Sequence, residues 1–500
     1  MLNTRAPALE LRLLTKAFGS LVACDHINMT LHAGEILALL GENGSGKTTL
    51  MNMIAGLYRP DSGDIFVRGI KADIHSPSDA RKHGIGMIHQ HFKLVDVFTA
   101  RQNIQLGAGR DMSDRALNEK VRALGERFGL TARLDQKVYD MSVGQKQTVE
   151  IIKALCRGAD ILILDEPTAV LTPQESDRLF DILRRMKADG AAIIIITHKL
   201  GEVMALSDRV AILRGGRNVG EALTSKTNAA ELTEKMVGQK VDLSIARPAM
   251  KQTPLFSMRN VSVRSADGVL RLDRVSFDIA GGEILGVAGI AGSGQKQLCE
   301  CIAGLEPICG GEILFKGKNI AGQSPRQIYD IGVRLGFIPE DRLGMGLVGA
   351  MDVTDNLLLR EYRLQPGFFI KRGPVRERAR DLIKRLSVAP PDPSRPVGQL
   401  SGGNLQKVLL GRELLSKPEL LITSYVVRGL DVHSSYVIYD LLNDCKLMGV
   451  GALFVGEDLD VLLELCDRVL VLCGGQITGL VNAKTATREQ IGLMMVGQSG

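Results

Sequence analysis

The feature that most limits the possible folds is a duplication. "GEILALLGENGSGKTTL" at 34–50 returns as "GEILGVAGIAGSGQKQL" at 282–298, 248 residues later. Ser142 in "DMSVGQKQTVEIIKAL" is matched by Ser401 in "QLSGGNLQKVLLGREL", 259 residues later. That register then holds to the end: "LSDRVAIL" pairs with "LCDRVLVL", and "MVGQ" at 236–239 with "MVGQ" at 495–498. Composition alone does not produce a constant register over such a length. The 500 residues therefore divide into two similar bodies, expected at 1–240 and 255–500. Between them, 241–254 reads as a linker in which Pro248 and Pro254 interrupt any helix.

Within each copy, short apolar runs bounded by Gly or Asp read as buried strands: Ile36–Leu40, Ile161–Leu164 and Ala192–Ile196. Val149, Ile152 and Cys156 recur at three and four residues, one face of a helix. Buried strands alternating with helices predict an α/β core with a mainly parallel sheet. The stretches 93–140 and 344–398, rich in Arg, Leu and Lys at helical spacing, read as inserted, mostly helical subdomains.

Hydrophobic residues at 45% and charged residues at 24% fit a packed soluble protein. The net charge of +6 is a faint basic bias, compatible with nucleotide phosphates or an anionic membrane surface and too weak to argue for nucleic acid. Aromatics at 4% and the lack of Trp argue against base-stacking platforms. The start, "MLNTRAPALELRLL", has no signal-peptide pattern, and runs such as "AAIIII" fall far short of the ~20 residues a membrane helix needs. The eight cysteines show no paired zinc spacing and read as reduced thiols of an intracellular protein.

The chemistry concentrates in the first copy. "GENGSGKT" (Gly41, Glu42, Asn43, Gly44, Ser45, Gly46, Lys47, Thr48) fits G-x-x-x-x-G-K-[ST] directly after an apolar run. Such glycines let backbone N–H groups wrap phosphates, while the lysine reaches the β/γ-phosphates and the hydroxyl ligates Mg²⁺. Asp165, ending "ILILD", is placed to hold Mg²⁺ through water, and Glu166 to act as general base on the attacking water. Ser142 and Gly144 open a helix whose free N–H groups form an anion site. Gln90 and His198 each follow an apolar run; a histidine at a strand end can hydrogen-bond a γ-phosphate. Phe18 in "LTKAFGS" could stack on adenine or simply close a strand end.

With these elements in this order, nearly the whole chain resembles two tandem ATP-binding-cassette ATPases. Gly41–Thr49 match the Walker A loop, Gln90 the Q-loop, Ser142–Gln145 the signature, Asp165 and Glu166 Walker B, and His198 the switch histidine. "DEPTAVLTPQE", "FIPEDR", "LSGGNLQK" and "RGLDV" look like the fused double ATPases of bacterial sugar and nucleoside import, with "GIGMIHQHFKLV" closer to the nucleoside branch. The resemblance implies P-loop cassettes, each with a mainly parallel sheet core, an antiparallel β part and a helical subdomain. It also implies ATP and Mg²⁺ as ligands, with Thr48, Gln90 and Asp165 toward the metal. Implied partners are two transmembrane permease subunits and, through them, an extracytoplasmic substrate-binding protein, with the chain peripheral on the cytoplasmic face and no nucleic acid expected.

In that family two cassettes pack head-to-tail, so each nucleotide lies between one Walker A loop and the other copy's signature. Site one would combine Gly41–Thr49, Gln90, Asp165, Glu166 and His198 with Ser401, Gly402, Gly403 and Asn404. Every chemical role is filled. Site two would combine Gly289, Gly292, Gly294 and Gln295 with Ser142 and Gly144. Here Gln295 stands for Lys47, Lys296 for Thr48, Glu340 for Gln90, Ser424 for Asp165, Tyr425 for Glu166 and Glu457 for His198. Losing several such groups predicts a site inactive in hydrolysis. Two other readings are a soluble tandem ATPase acting on ribosomes or nucleic acid, disfavoured by a short junction and a broken second site, and a non-hydrolysing scaffold.

Overall fold

The computed structural model describes residues 6–90, 92–108, 113–169, 171–197, 199–238, 243–249, 253–265, 267–365 and 369–498. The chain forms two compact units, Met1–Leu243 and Ser244–Gly500.

The first unit is built on a six-stranded sheet with the order Arg217–Leu223, Arg209–Arg214, Ile36–Gly41, Ala192–Ile196, Ile161–Asp165, Ile85–Ile88. All neighbours pair parallel except the first two strands, which form an antiparallel hairpin. Every residue of Ile36–Gly41 and of Ala192–Ile196 is buried, as central strands covered on both faces must be. Alternate side chains of one strand feed two cores. Leu37, Leu39, Ile161, Ile163 and Ile194 pack with Leu50 and Ile54 of the helix Lys47–Ile54 and with an antiparallel sheet. Ile36, Leu162, Leu164, Ile193 and Ile195 face the opposite core with Val149 and Ile152. The antiparallel sheet has the order Leu21–Leu31, Leu9–Phe18, Ser62–Val67, Ile70–Lys71.

The second unit repeats this plan strand for strand. Its six-stranded order is Gln476–Asn482, Arg468–Cys473, Ile284–Gly289, Gly451–Val455, Leu420–Ser424, Leu335–Ile338, and its antiparallel sheet runs Leu270–Gly281, Thr253–Arg264, Gly310–Phe315, Lys318–Asn319. Ile284–Gly289 again sits between two parallel neighbours, so the glycine loop leaves a central strand in both units. The α/β cassette plan, with its antiparallel part, is thus present twice.

The stretches expected to be helical hold Ala100–Ala108 and Asp114–Phe128 in the first unit, and Val353–Glu361 and Arg372–Arg385 in the second. In the linker stretch, the Ala246 carbonyl accepts from Asn443 Nδ2 at 2.6 Å and Arg247 Nη1 donates to the Cys466 carbonyl at 2.9 Å. Those residues are fastened to the second unit. Among the described residues, no helix is long and apolar enough to cross a membrane.

Candidate functional site

In the first unit the strand Ile36–Gly41 runs into a loop that ends at the start of helix Lys47–Ile54. Gly46, with φ of 101°, takes a conformation that L side chains avoid, and a Cβ there would lie 2.3 Å from the Ala23 carbonyl oxygen. A Cβ on Gly41 would collide with the Leu213 carbonyl oxygen at 2.4 Å and with Ser45 Oγ at 2.5 Å. The loop therefore closes on itself with backbone alone. Lys47 Nζ folds back to donate to the carbonyls of Gly41 (2.6 Å) and Glu42 (2.8 Å). Burial lowers the Lys47 pKa, opposed by the negative charges of Glu166, Asp165 and Glu42. Ser45 Oγ is buried without a hydrogen-bond partner among the described residues. Asn43 and Gly44 face solvent at the loop tip, and Thr48 is exposed while Thr49 is half-buried on the helix. A left-handed glycine at the helix start, a cation held against the loop carbonyls and an unsatisfied hydroxyl fit a bound polyphosphate.

Asp165 ends its strand half-buried, and its carboxyl is pushed up to about 6 by burial and by neighbouring Glu166, against the pull of Lys47. A carboxylate so placed gains from a cation. The Thr48 hydroxyl, the Gln90 amide oxygen and the Asp165 carboxylate are hard oxygen donors suited to Mg²⁺. Glu166 follows in a left-handed bend with φ of 44°, its N–H held by the Ile196 carbonyl at 2.9 Å. Gln90 Nε2 donates to Glu166 Oε2 at 2.7 Å, so the fold brings the Q-loop amide and the base candidate together. His198 lies outside the described residues. Phe18 is an exposed strand-end ring set edge-to-face on Tyr58 at 5.4 Å.

One residue behind this arrangement escaped the motif reading. Glu202 accepts from the Thr168 hydroxyl at 2.5 Å and the Thr197 hydroxyl at 3.2 Å. It thereby ties the loop after Glu166 to the loop after Ala192–Ile196. No spacing rule marks Glu202, because its partners come from separate segments.

The two signatures are built alike and surrounded differently. Ser142 caps helix Val143–Cys156 in a reciprocal box with Gln145, while Ser401 caps helix Gly402–Leu415 and accepts from Asn404 Nδ2 at 2.9 Å. A Cβ on Gly144 would meet Glu175 Oε1 at 2.5 Å, whereas one on Gly403 would meet Ser434 Oγ at 2.9 Å. The position that presents a carboxylate to the first signature thus presents a hydroxyl to the second. Gly402 lies beside Arg342 Nη1, at 3.0 Å from an added Cβ, so a cation adjoins the second signature. A cavity of about 500 Å³ borders Ser142, Gly144, Gln145 and Glu175.

In the second unit the matching loop keeps the fold-back bond and loses the cation. Gln295 is buried and its Nε2 donates to the Ile290 carbonyl at 3.0 Å, a neutral amide in the place of Lys47. Gly294 repeats the left-handed φ at 106°, and Gly292 has φ of 89°, while a Cβ on Gly289 would meet Gln295 Nε2 at 2.6 Å. Lys296 projects outward toward Glu300, 3.8 Å away. Ser424 is buried, and Tyr425 keeps the bend of Glu166 with φ of 51° and its N–H on the Val455 carbonyl at 3.0 Å. Burial, then Glu457 and Glu340, raise the Tyr425 phenol above its ordinary range, so it stays protonated and cannot serve as a base. Arg428, which replaces Ala169 of the first copy, pairs with Glu340 and with Glu457 at 3.2 Å, and lies 5.8 Å from the Tyr425 ring centre. The positions matching Gln90, Glu166 and His198 are thus drawn together by one guanidinium.

The family model described as ABC transporter matches residues 24–169 and 272–423, more than half of the chain. The chain belongs to the ABC transporter family, as a two-cassette ATPase of an importer. It is 41% identical to the nucleoside import ATP-binding protein NupA of Lactococcus lactis subsp. cremoris, over 97% of this chain and 97% of that protein. It is 40% identical to the glucose import ATP-binding protein TsgD13 of Haloferax volcanii, over 99% of this chain and 96% of that protein. Among solved structures, the complex of archaeal ribosomal stalk protein aP1 with the archaeal ribosome recycling factor aABCE1 is similar with a TM-score of 0.62 and 19% identity, over 94% of this chain and 90% of that one, a likeness of fold alone.

Proposed function

We propose that this ATPase drives uptake of nucleosides, with simple sugars as the second candidate, and that it hydrolyses ATP at one site only. The productive site consists of Gly41–Thr49, Gln90, Asp165, Glu166 and His198, completed by Ser401–Asn404 from the second copy. Thr48, Gln90 and Asp165 would hold Mg²⁺, which neutralises phosphate charge. Lys47 binds the β/γ-phosphates, Glu166 takes the proton of the attacking water, and Gln90 orients that carboxylate. Two transmembrane permease subunits, served by an extracytoplasmic binding protein, would receive the motion from the ATPase on the cytoplasmic face. The observation that carries this reading is the contrast at one backbone bend: Glu166 meets Gln90 at 2.7 Å, while Tyr425 at the matching bend is protonated beside an Arg428 salt bridge.

Glu166→Gln is expected to lower turnover by about 10²–10⁴ while ATP stays bound. Undiminished turnover would remove Glu166 from the base role. Tyr425→Glu is expected to add no activity, since Gln295 and Ser424 remain. The solute is decided by measuring ATPase stimulation of the permease complex with nucleoside-loaded against ribose-loaded binding protein. Identities of 41% to a nucleoside importer and 40% to a glucose importer do not separate the two; "GIGMIHQHFKLV" favours the first. The ribosomal alternative predicts co-purification with ribosomes instead of membranes.

A further inference from the structure

The helices Asp114–Phe128 and Arg372–Arg385 are the same element in the two copies, and their buried faces share four matched positions. Leu117, Val121, Leu124 and Phe128 correspond to Val375, Ala379, Leu382 and Leu386, each 258 residues later. In that register the outward stripe of the first helix is Asp114, Asn118, Arg122 and Glu126, and that of the second is Arg372, Arg376, Arg380 and Lys384. All eight are exposed, and the four-residue spacing keeps each set on one face. The first stripe nets one negative charge and pairs internally, Arg122 with Glu126 at 3.9 Å. The second nets four positive charges, against +6 for the whole chain. Arg372 is engaged by Asp355 at 2.7 Å and Arg376 donates to Ser394 Oγ at 2.7 Å. Arg380 and Lys384 make no ion pair among the described residues, although Glu377 and Asp381 stand on the adjoining edge. At the start of the helix Phe369 is 87% exposed and Ile370 54%.

We propose that this stripe, with Phe369 and Ile370 beside it, docks on anionic lipid headgroups. A basic row ending in bare apolar side chains matches an interface that is negative at its surface and oily just beneath. A purely solvated helix needs neither the five-charge difference from its twin nor an exposed phenylalanine. An acidic protein loop would account for the charge and leave Phe369 without a role. The inference is independent of which solute is carried and of the catalytic assignments.

The test is co-sedimentation of the full chain with phosphatidylglycerol-containing vesicles and with pure phosphatidylcholine vesicles. Binding is expected only to the anionic vesicles and is lost in high salt, where the screening length shrinks to about 3 Å. Arg380→Gln with Lys384→Gln is expected to weaken partitioning about 25-fold, roughly fivefold for each charge removed near such a surface. Phe369→Ala weakens it roughly tenfold. Arg122→Gln, on the twin helix, leaves it unchanged, and all variants keep the melting temperature and basal ATPase because the altered side chains are exposed and belong to none of the nucleotide motifs. Equal binding by wild type and the double variant, or by neutral and anionic vesicles, overturns the proposal. So does a matching loss in Arg122→Gln, which would mean nonspecific attraction. If the double variant still binds vesicles yet no longer co-purifies with its membrane partners, the stripe reads an acidic protein loop and the lipid assignment falls.

Discussion

Asp165 is held where its charge is costly: burial and Glu166 lift its carboxyl from 3.8 to about 6. For an acid whose native pKa lies above its unfolded value, folding is relatively favoured below about pH 4 and loses that contribution as pH rises through about 6. Water screening of a half-buried group limits the amount to about 1–2 kcal/mol. In nucleotide-free protein with a chelator, Asp165→Asn is therefore expected to melt above wild type at pH 8, with the gap closing toward pH 4. Thermal scans across that range check it, and a gap independent of pH would count against the burial argument. Asp165, Glu166 and Lys47 were legible in the sequence because each is held by a local pattern, a glycine loop or a strand end. Arg428 was not, since its meaning depends on Glu340 and Glu457, which lie 88 residues before it and 29 after it.

The signature helices isolate a second effect. Ser142 and Ser401 each accept the N–H of the third helical residue, and removing a serine cap costs about 1 kcal/mol. Ser142→Ala and Ser401→Ala should accordingly destabilise their units by similar amounts, seen as comparable shifts in denaturation midpoint. Only Ser401→Ala should depress steady-state ATP turnover, because the proposed productive site draws on Ser401. Equal loss of turnover from both would contradict a single working site. Three of the strands and the signature helix followed from apolar periodicity, and the insertions were recognised by composition, while the order of the strands came only from the structure. The carboxylate of Glu175 over Gly144, against the hydroxyl of Ser434 over Gly403, emerged only from the packed backbone. Likewise the basic stripe becomes visible only once the buried faces set the register at 258 instead of 259 residues.

At the scale of the whole molecule, two units share one strand order and left-handed glycines at matching loop positions, yet only the first keeps a lysine at the first helical position, where the second has Gln295. Equilibrium binding of ATP to Glu166→Gln protein should saturate at one nucleotide per chain. A stoichiometry of two would mean that Gln295 yields its place in the loop. Duplication was plain from the sequence, and so was the loss of Walker residues. That Gln295 makes the same fold-back bond as Lys47 was not, because the sequence does not mark the partner of an amide.

The Arg428 bridge also bears on history. Replacing Glu340 with glutamine or Glu457 with histidine, one at a time, would strand part of a guanidinium's charge, and deleting Arg428 first would crowd two acids around a tyrosine. Each single step back toward an ordinary cassette therefore unpairs a charge, at a cost of up to about 1 kcal/mol for groups this exposed, so the bridge holds the second copy only lightly in its present form. Under the proposed single working site, a second engine would take changes at Gln295, Ser424 and Tyr425 as well as at these three positions.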